Sequence, residues 1–257
     1  MILIIFYVNI QEKIELNQTK YLQLVYIKKM NKKVTVVKTP FPAIAIDNFM
    51  SPELLRAAAI SFPHVNWEHW HRYDGIDSLK VGTRDRMRIT VPALEALDYI
   101  ATHFSPSEYF ESKVNEFPDF EYYAGGMHML PQNGFLGMHI DANVHGGNQI
   151  WKREYSVVMC ISEEYDTSFD LLIHNGKKHS SIPYKFNRLL AFKCSENSWH
   201  GVPDPITKGL SRKTLAVFYW SKLDKNNNLK EKRVRSLFRH DLYLSKKKLL
   251  NLNNNNK

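Results

Sequence analysis

The run Gly134-Phe135-Leu136-Gly137-Met138-His139-Ile140-Asp141-Ala142-Asn143 decides the fold class, read with two later segments, Ser198-Trp199-His200-Gly201-Val202-Pro203 and Ser211 to Trp220. Alternating apolar and polar residues end in an His-x-Asp pair, the text of a strand end. Residues i and i+2 of a strand project to the same face, so His139 and Asp141 share one side. A third donor, His200, must arrive from elsewhere in the chain. Two imidazoles and one carboxylate on one face of an octahedral Fe(II) leave three positions open, enough for a chelating cosubstrate and O2. Zinc also accepts these ligand types, but a three-ligand zinc site requires no basic anchor for a dicarboxylate.

Such an anchor follows. Arg212 lies twelve residues past His200 and opens the alternating run Arg-Lys-Thr-Leu-Ala-Val-Phe-Tyr-Trp. Arg212 and Thr214 share one face of that strand and Lys213 takes the other. A guanidinium and a hydroxyl together suit a carboxylate, through a bidentate pair and one added hydrogen bond.

Around these segments the chain reads as short strands near 122–130, 135–141, 154–161, 169–174, 188–194 and 213–220. They are separated by Gly, Asn, Asp and Pro, the spacing of a barrel or sandwich. Helices precede them. Ser51 as N-cap with Pro52 at the first position opens one through Leu54, Leu55 and Ile60, stopped by Pro63. Leu94, Leu97, Ile100 and Phe104 mark a second, and Ser105-Pro106 with Glu108 spells a capping box for a third. At 257 residues one core is expected. The division is a poorly defined lead over 1–40, in which Met30 could be the natural start, a domain over 41–222, and a basic helix with an Asn-rich tail over 223–257.

Charge supports that division. The formal net charge is +9, yet residues 1–40 contribute +5 and 221–257 contribute +8, which leaves 41–220 at −4. The basic parts are the tails, so the central domain has no need of nucleic acid. Cys160 and Cys194 form no CxxC pair and fit two buried thiols in a reducing compartment, cytoplasmic or nucleoplasmic. The apolar run Ile2–Val8 is too short to span a bilayer and lacks the flanks of a signal peptide.

The pattern HxD…H…RxT resembles the Fe(II)/2-oxoglutarate-dependent oxygenase superfamily, in its prolyl 4-hydroxylase-like branch. The residues that carry the likeness are Gly125, Gly126 and His128; His139, Asp141 and Asn143; Arg188, Leu189 and Phe192; and Trp199, His200 and Gly201. The likeness runs from about Phe41 to Lys222. It implies a mainly β, α+β architecture, a double-stranded β-helix (jelly roll, cupin-like) of two packed sheets backed by helices. It implies Fe(2+) held by His139, Asp141 and His200, with 2-oxoglutarate and O2 as cosubstrates and ascorbate as an auxiliary reductant. Arg212, Thr214 and His128 would bind the cosubstrate. The reaction would be a hydroxylation that releases succinate and CO2, on a peptidyl proline, a sugar or another small metabolite. The chain departs from the branch at Leu130-Pro131 and Cys160, where tyrosines are common, and at Ser168-Phe169, where a Gly-Gly is usual.

Plainer readings stand beside several of these residues. His128 either lies near the cosubstrate or satisfies a backbone group. Thr214 is also a good strand former. Asn143, Arg153 and Trp199 are the candidate substrate contacts, with loops 65–90 and 142–153 framing the entrance and Trp67, His69, Trp70 and Tyr73 offering aromatic surface. His145, His174 and His179 read as solvated loop residues, and Met127, Met129, Met138 and Met159 as core. Leu229, Val234, Leu237, Phe238 and Leu242 would pack the basic helix on the domain. Two rivals remain: a catalytically silent jelly-roll binding module for a glycan or protein, and an AlkB-like nucleic-acid demethylase. The second requires an Arg six residues past Arg212, where this chain has Phe218.

Overall fold

The structure is a computed structural model that describes residues 32–112, 114–223 and 229–242. The expected lead over 1–31, Met30 included, and the Asn-rich tail over 243–257 lie outside the described residues.

Among the described residues, two α-helices and fourteen strands make up the fold. β1 (Lys33–Val37) and β2 (Ala43–Asp47) form an antiparallel pair before helix α1 (Pro52–Ile60). The hairpin β3 (His71–Asp74) and β4 (Ser78–Gly82) follows, then helix α2 (Val91–His103) and β5 (Phe117–Pro118). β6 (Gly126–Leu130), β7 (Phe135–Ile140), β8 (Trp151–Cys160) and β9 (Leu171–His174) come next. β10 (His179–Ile182), β11 (Arg188–Lys193), β12 (Trp199–Val202), β13 (Arg212–Lys222) and β14 (Leu237–Phe238) complete the set.

Hydrogen bonding runs β1-β2-β11-β8-β13-β6-β4-β7-β12-β9-β10. The path folds into two layers, β1 to β6 on one side and β7 to β10 on the other. β4 bridges them, pairing with β6 through Val81 and Gly82 and with β7 through Ser78 and Leu79. This is the double-stranded β-helix that the resemblance implies.

Side-chain parity on β2 shows how the layers are filled. Ala43 and Ala45 face the second layer, with Leu190, Phe192, Ile173 and Val202. Ile44 and Ile46 face the helices, with Leu97, Ile100, Val157 and Val217. Small residues meet the narrow space between sheets and large ones the wider space under the helices, as close packing requires. Helix α1 starts as the sequence indicates: Ser51 Oγ accepts from the Leu54 amide and Pro52 occupies the first turn. Helix α2 buries Ala93, Ala96, Leu97 and Ile100, one stripe at helical spacing.

Two elements differ from expectation. The third helix is a single 3₁₀ turn, Pro106–Glu108, because Ser105 bonds Ser107 and makes no cap to the backbone. The basic helix is not formed over the described residues 229–240. There the chain is mostly bends and irregular backbone, and Leu237 and Phe238 pair with Ile140 and His139 along an edge of β7. An unpaired strand edge offers hydrogen bonds that helical periodicity in a sequence does not reveal. Among the described residues no helix is long and apolar enough to cross a membrane.

Candidate metal and cosubstrate site

β7 and β12 are neighbours, and their register places His139 directly opposite His200. Gly137 and Gly201 sit where the strands crowd: a Cβ at Gly201 would lie 2.7 Å from the Leu136 carbonyl, and one at Gly137 would lie 2.8 Å from the Asp77 carbonyl. Glycine is needed at both because backbone approaches too closely for any side chain. Asp141 follows immediately after β7.

The three side chains converge. His139 Nε2 is 3.6 Å from Asp141 Oδ1, His200 Nε2 is 3.8 Å from Asp141 Oδ2, and one donor atom from each lies within 4.8 Å of the others. Each imidazole is also oriented. Nδ1 of His139 is 2.9 Å from the Gly137 carbonyl, and Nδ1 of His200 is 2.9 Å from the Ser198 carbonyl. A carbonyl only accepts, so both Nδ1 atoms carry the proton and both Nε2 atoms present lone pairs to the same point. Burial holds His200 near a pKa of about 4, aided by His139 and opposed by Asp141, so the ring stays neutral near pH 7. Burial works against ionisation of Asp141, but Arg153, His200 and His139 outweigh it and hold the carboxyl well below its usual range. The Ser156 hydroxyl donates to Asp141 Oδ2 at 2.6 Å. Two imidazoles oriented through Nδ1 and one ionised, oriented carboxylate fit a divalent transition metal.

A cavity of about 700 Å³ opens from this point between the two layers. Arg212, Thr214 and His128 line its inner end. Arg212 donates from Nε to the Phe169 carbonyl at 2.8 Å, and its guanidinium lies 5.2 Å from the Tyr184 ring centre. Lys213 points the opposite way, to the Ala59 carbonyl, as strand parity demands. Thr214 is flanked by His128 on β6 and Cys160 on β8. His128 unites its two readings: it lines the recess, and Nε2 donates to the Ala124 carbonyl at 3.2 Å. Cys160 is a buried thiol pushed up to about 11 by burial, so the position supplies packing and not a polar contact. Tyr184 is buried instead against Arg212, its hydroxyl occupied by the Lys213 carbonyl and the Ser162 amide.

Of the candidate substrate contacts, Arg153 lines the cavity and the other two do not. A register shift between Tyr219 and Trp220 places Arg153 opposite Trp220, where ordinary alternation would turn it away. Its guanidinium stacks 3.7 Å from the Phe218 ring centre and reaches Asp141 at 3.3 Å. Trp199 packs with Met138, Ile140 and Leu172 outside the cavity. Asn143 latches the C-terminal segment, accepting from the Arg233 amide at 2.7 Å and donating to the Glu231 carbonyl at 2.9 Å.

Other residues also depart from the sequence reading. His145 and His174 are buried, not solvated; their Nδ1 atoms accept turn amides from Gly147 and Gly176. Arg188 forms a buried ion pair with Asp47 at 2.6 Å. Tyr73 lines the cavity, whereas Trp70 belongs to the core under the helices. The four methionines are core, as expected.

Sequence reasoning missed Lys80, Phe192 and Phe238, all on the cavity wall. Lys80 sits on β4, opposite Tyr73 in the hairpin. The signal for that hairpin was present in Asp74-Gly75 between two alternating runs. Burial pushes the Lys80 ammonium down to about 8, with Arg212 and Arg153 adding to it and Asp141 opposing. A depressed lysine costs stability at every pH below its folded value, and the cost fades as pH rises from 8 toward 10.5. Lys80→Met should therefore raise the melting temperature at pH 7 by several degrees, about 1–3 kcal/mol after allowance for partial exposure. The gap to wild type should close by pH 10, and a Met variant that melts lower at pH 7 would contradict this.

Residues 125–220 match the family model described as the 2OG-Fe(II) oxygenase superfamily. No curated protein matches the sequence. Among solved structures, the chain is similar to a prolyl-4-hydroxylase of Pseudomonas putida. The identity is 13% and the TM-score 0.51, covering 71% of this chain and 92% of that one. It is also similar to a prolyl hydroxylase of Trichoplax adhaerens, solved with a hypoxia inducible factor oxygen degradation domain peptide fragment. There the identity is 14% and the TM-score 0.50, covering 85% of this chain and 96% of that one. These neighbours share the fold, and residues 125–220 carry the match to the 2OG-Fe(II) oxygenase superfamily model.

Proposed function

We propose that the chain is an Fe(II)- and 2-oxoglutarate-dependent dioxygenase of the prolyl hydroxylase-like kind that hydroxylates a C–H bond of its prime substrate. The observation that carries this is the pair of imidazoles whose Nε2 lone pairs meet the Asp141 carboxylate at the floor of a cavity ending in Arg212 and Thr214. His139, Asp141 and His200 would hold the iron, and Arg212 with Thr214 would hold the distal carboxylate of 2-oxoglutarate. Iron bound there would couple oxidative decarboxylation of 2-oxoglutarate by O2, to succinate and CO2, to insertion of one oxygen atom into the substrate.

The protein's own part is positioning and shielding. Phe192, Val158 and Leu171 give the cavity apolar walls, which exclude water from a reactive centre. Ser156 and Arg153 fix the carboxylate. Phe238, brought in by the C-terminal segment, lies 5.2 Å from His139 and covers its outer face. Ascorbate would serve as an auxiliary reductant for cycles that run without substrate.

The test is succinate release from 2-oxoglutarate by the purified full chain with Fe(II) and ascorbate. Slow turnover without prime substrate is expected. Absence of both turnover and anaerobic Fe(II) binding would leave a silent jelly-roll binding module as the better reading. The prime substrate, whether peptidyl proline, sugar or another small metabolite, is to be sought by mass spectrometry as a gain of one oxygen.

A further inference from the structure

The cavity holds more positive charge than a metal and a cosubstrate use. Its lining includes six Arg and Lys against three Asp. Asp141 belongs to the metal site, and Asp77 is paired with His240 at 2.8 Å. Arg212 would be taken by the cosubstrate, and Arg153 lies against Asp141. Four remain, Arg72, Lys80, Arg84 and Arg235; Lys80 and Arg84 meet at one aromatic ring, and among the described residues no carboxylate lies within ion-pair distance of either.

These two cations are gathered by the β3–β4 hairpin. His71 and Tyr73 project from one face of β3, and Lys80 is the direct cross-strand partner of Tyr73. The Tyr73 ring is the hub: the His71 ring centre is 4.4 Å away, Lys80 Nζ 4.7 Å and Arg84 Cζ 5.9 Å. Burial lowers the pKa of His71, and the nearby Arg84 and Lys80 lower it further. Like charges held together without a counterion are unfavourable until an anion arrives.

We propose that the prime substrate carries a carboxylate or phosphate, held on the cavity wall by Lys80, Arg84 and His71 around Tyr73. This rests on the oxygenase reading of the cavity, since only then does Arg212 serve a separate ligand. The cluster fixes one end of the substrate and leaves its neighbouring C–H bonds toward the His139, Asp141 and His200 face. Tyr73 and Phe238, both on the cavity wall, would flank the carbon skeleton.

The test uses the full chain loaded with Mn(II) and saturating 2-oxoglutarate, titrated calorimetrically with inorganic phosphate and, separately, with acetate. One of the two should bind at a single site, and Arg84→Gln and Lys80→Met should each weaken it tenfold or more. Arg84→Gln should bind 2-oxoglutarate within twofold of wild type. Preference for phosphate assigns a phosphoryl group, and preference for acetate assigns a carboxylate. If neither anion binds, or both bind the variants as tightly as wild type, the inference is overturned while the oxygenase reading stands. If Arg84→Gln loses 2-oxoglutarate in step with the anion, the cluster serves the cosubstrate and the inference also fails. Should the wild type bind neither Mn(II) nor 2-oxoglutarate, the oxygenase reading falls, and the inference with it.

Discussion

His139→Ala is expected to abolish measurable Fe(II) or Mn(II) binding while the protein stays folded. Two of three protein donors would remain, and the lost imidazole is one whose lone pair is aimed by the Gly137 carbonyl. Losing only an orienting partner of a ligand typically costs 10–100-fold in affinity, so losing the ligand itself should exceed about 100-fold. The fold should tolerate the change because His139 makes no ion pair that another buried group depends on, other than its contact with Asp141. Asp141→Ala should lose the metal equally and behave differently in a melt. Removing that carboxylate strands the buried Arg153 guanidinium and the Ser156 hydroxyl. Uncompensated buried charge costs about 3–5 kcal/mol, roughly 6 °C or more in melting temperature for a chain of this size. Titration calorimetry and thermal denaturation on the two variants check both statements. Retained metal binding in His139→Ala would remove it from the ligand set.

Arg212→Ala should do the reverse, sparing the metal and weakening 2-oxoglutarate by about 100-fold. Truncating one member of a desolvated charge pair costs about 2–5 kcal/mol, and Arg212 is buried beside Thr214 at the inner end of the cavity. Its aim depends on the Phe169 carbonyl, which fixes Nε, and on Tyr184, which packs against the guanidinium. Mn(II) affinity within twofold of wild type, together with the loss of 2-oxoglutarate, is the expected pair of results. Unchanged cosubstrate affinity would sink the assignment of Arg212.

The shared face of His139 and Asp141 was legible because strand parity is a local rule. His139 and Asp141 at i and i+2, and Arg212 and Thr214 likewise, must share faces wherever those strands lie. The same rule explains the failures. The rule does not reach Arg153, whose place on the cavity wall comes from the register shift beside Trp220, which arises between two strands and cannot be seen in either one. It says nothing of Asn143, just past the strand end, whose amide is claimed by a segment about ninety residues away. Trp199 is next to a ligand in sequence, and for that reason it points to the opposite face. The basic helix over 229–240 failed for a related cause. An edge of β7 recruits Leu237 and Phe238 as a strand, which local pattern does not foresee.

By itself, then, the sequence determined the strand-rich class and the shared faces of His139 with Asp141 and of Arg212 with Thr214, because each follows from side-chain alternation within a few residues. Only the tertiary structure decided the rest of the cavity. Cross-strand register set His200 opposite His139, and β4 carried Lys80 between the two layers. The packing of distant segments determined that Tyr184 would support Arg212 and that Phe238 would cover His139. Those outcomes depend on which strands become neighbours, a property of the folded chain as a whole.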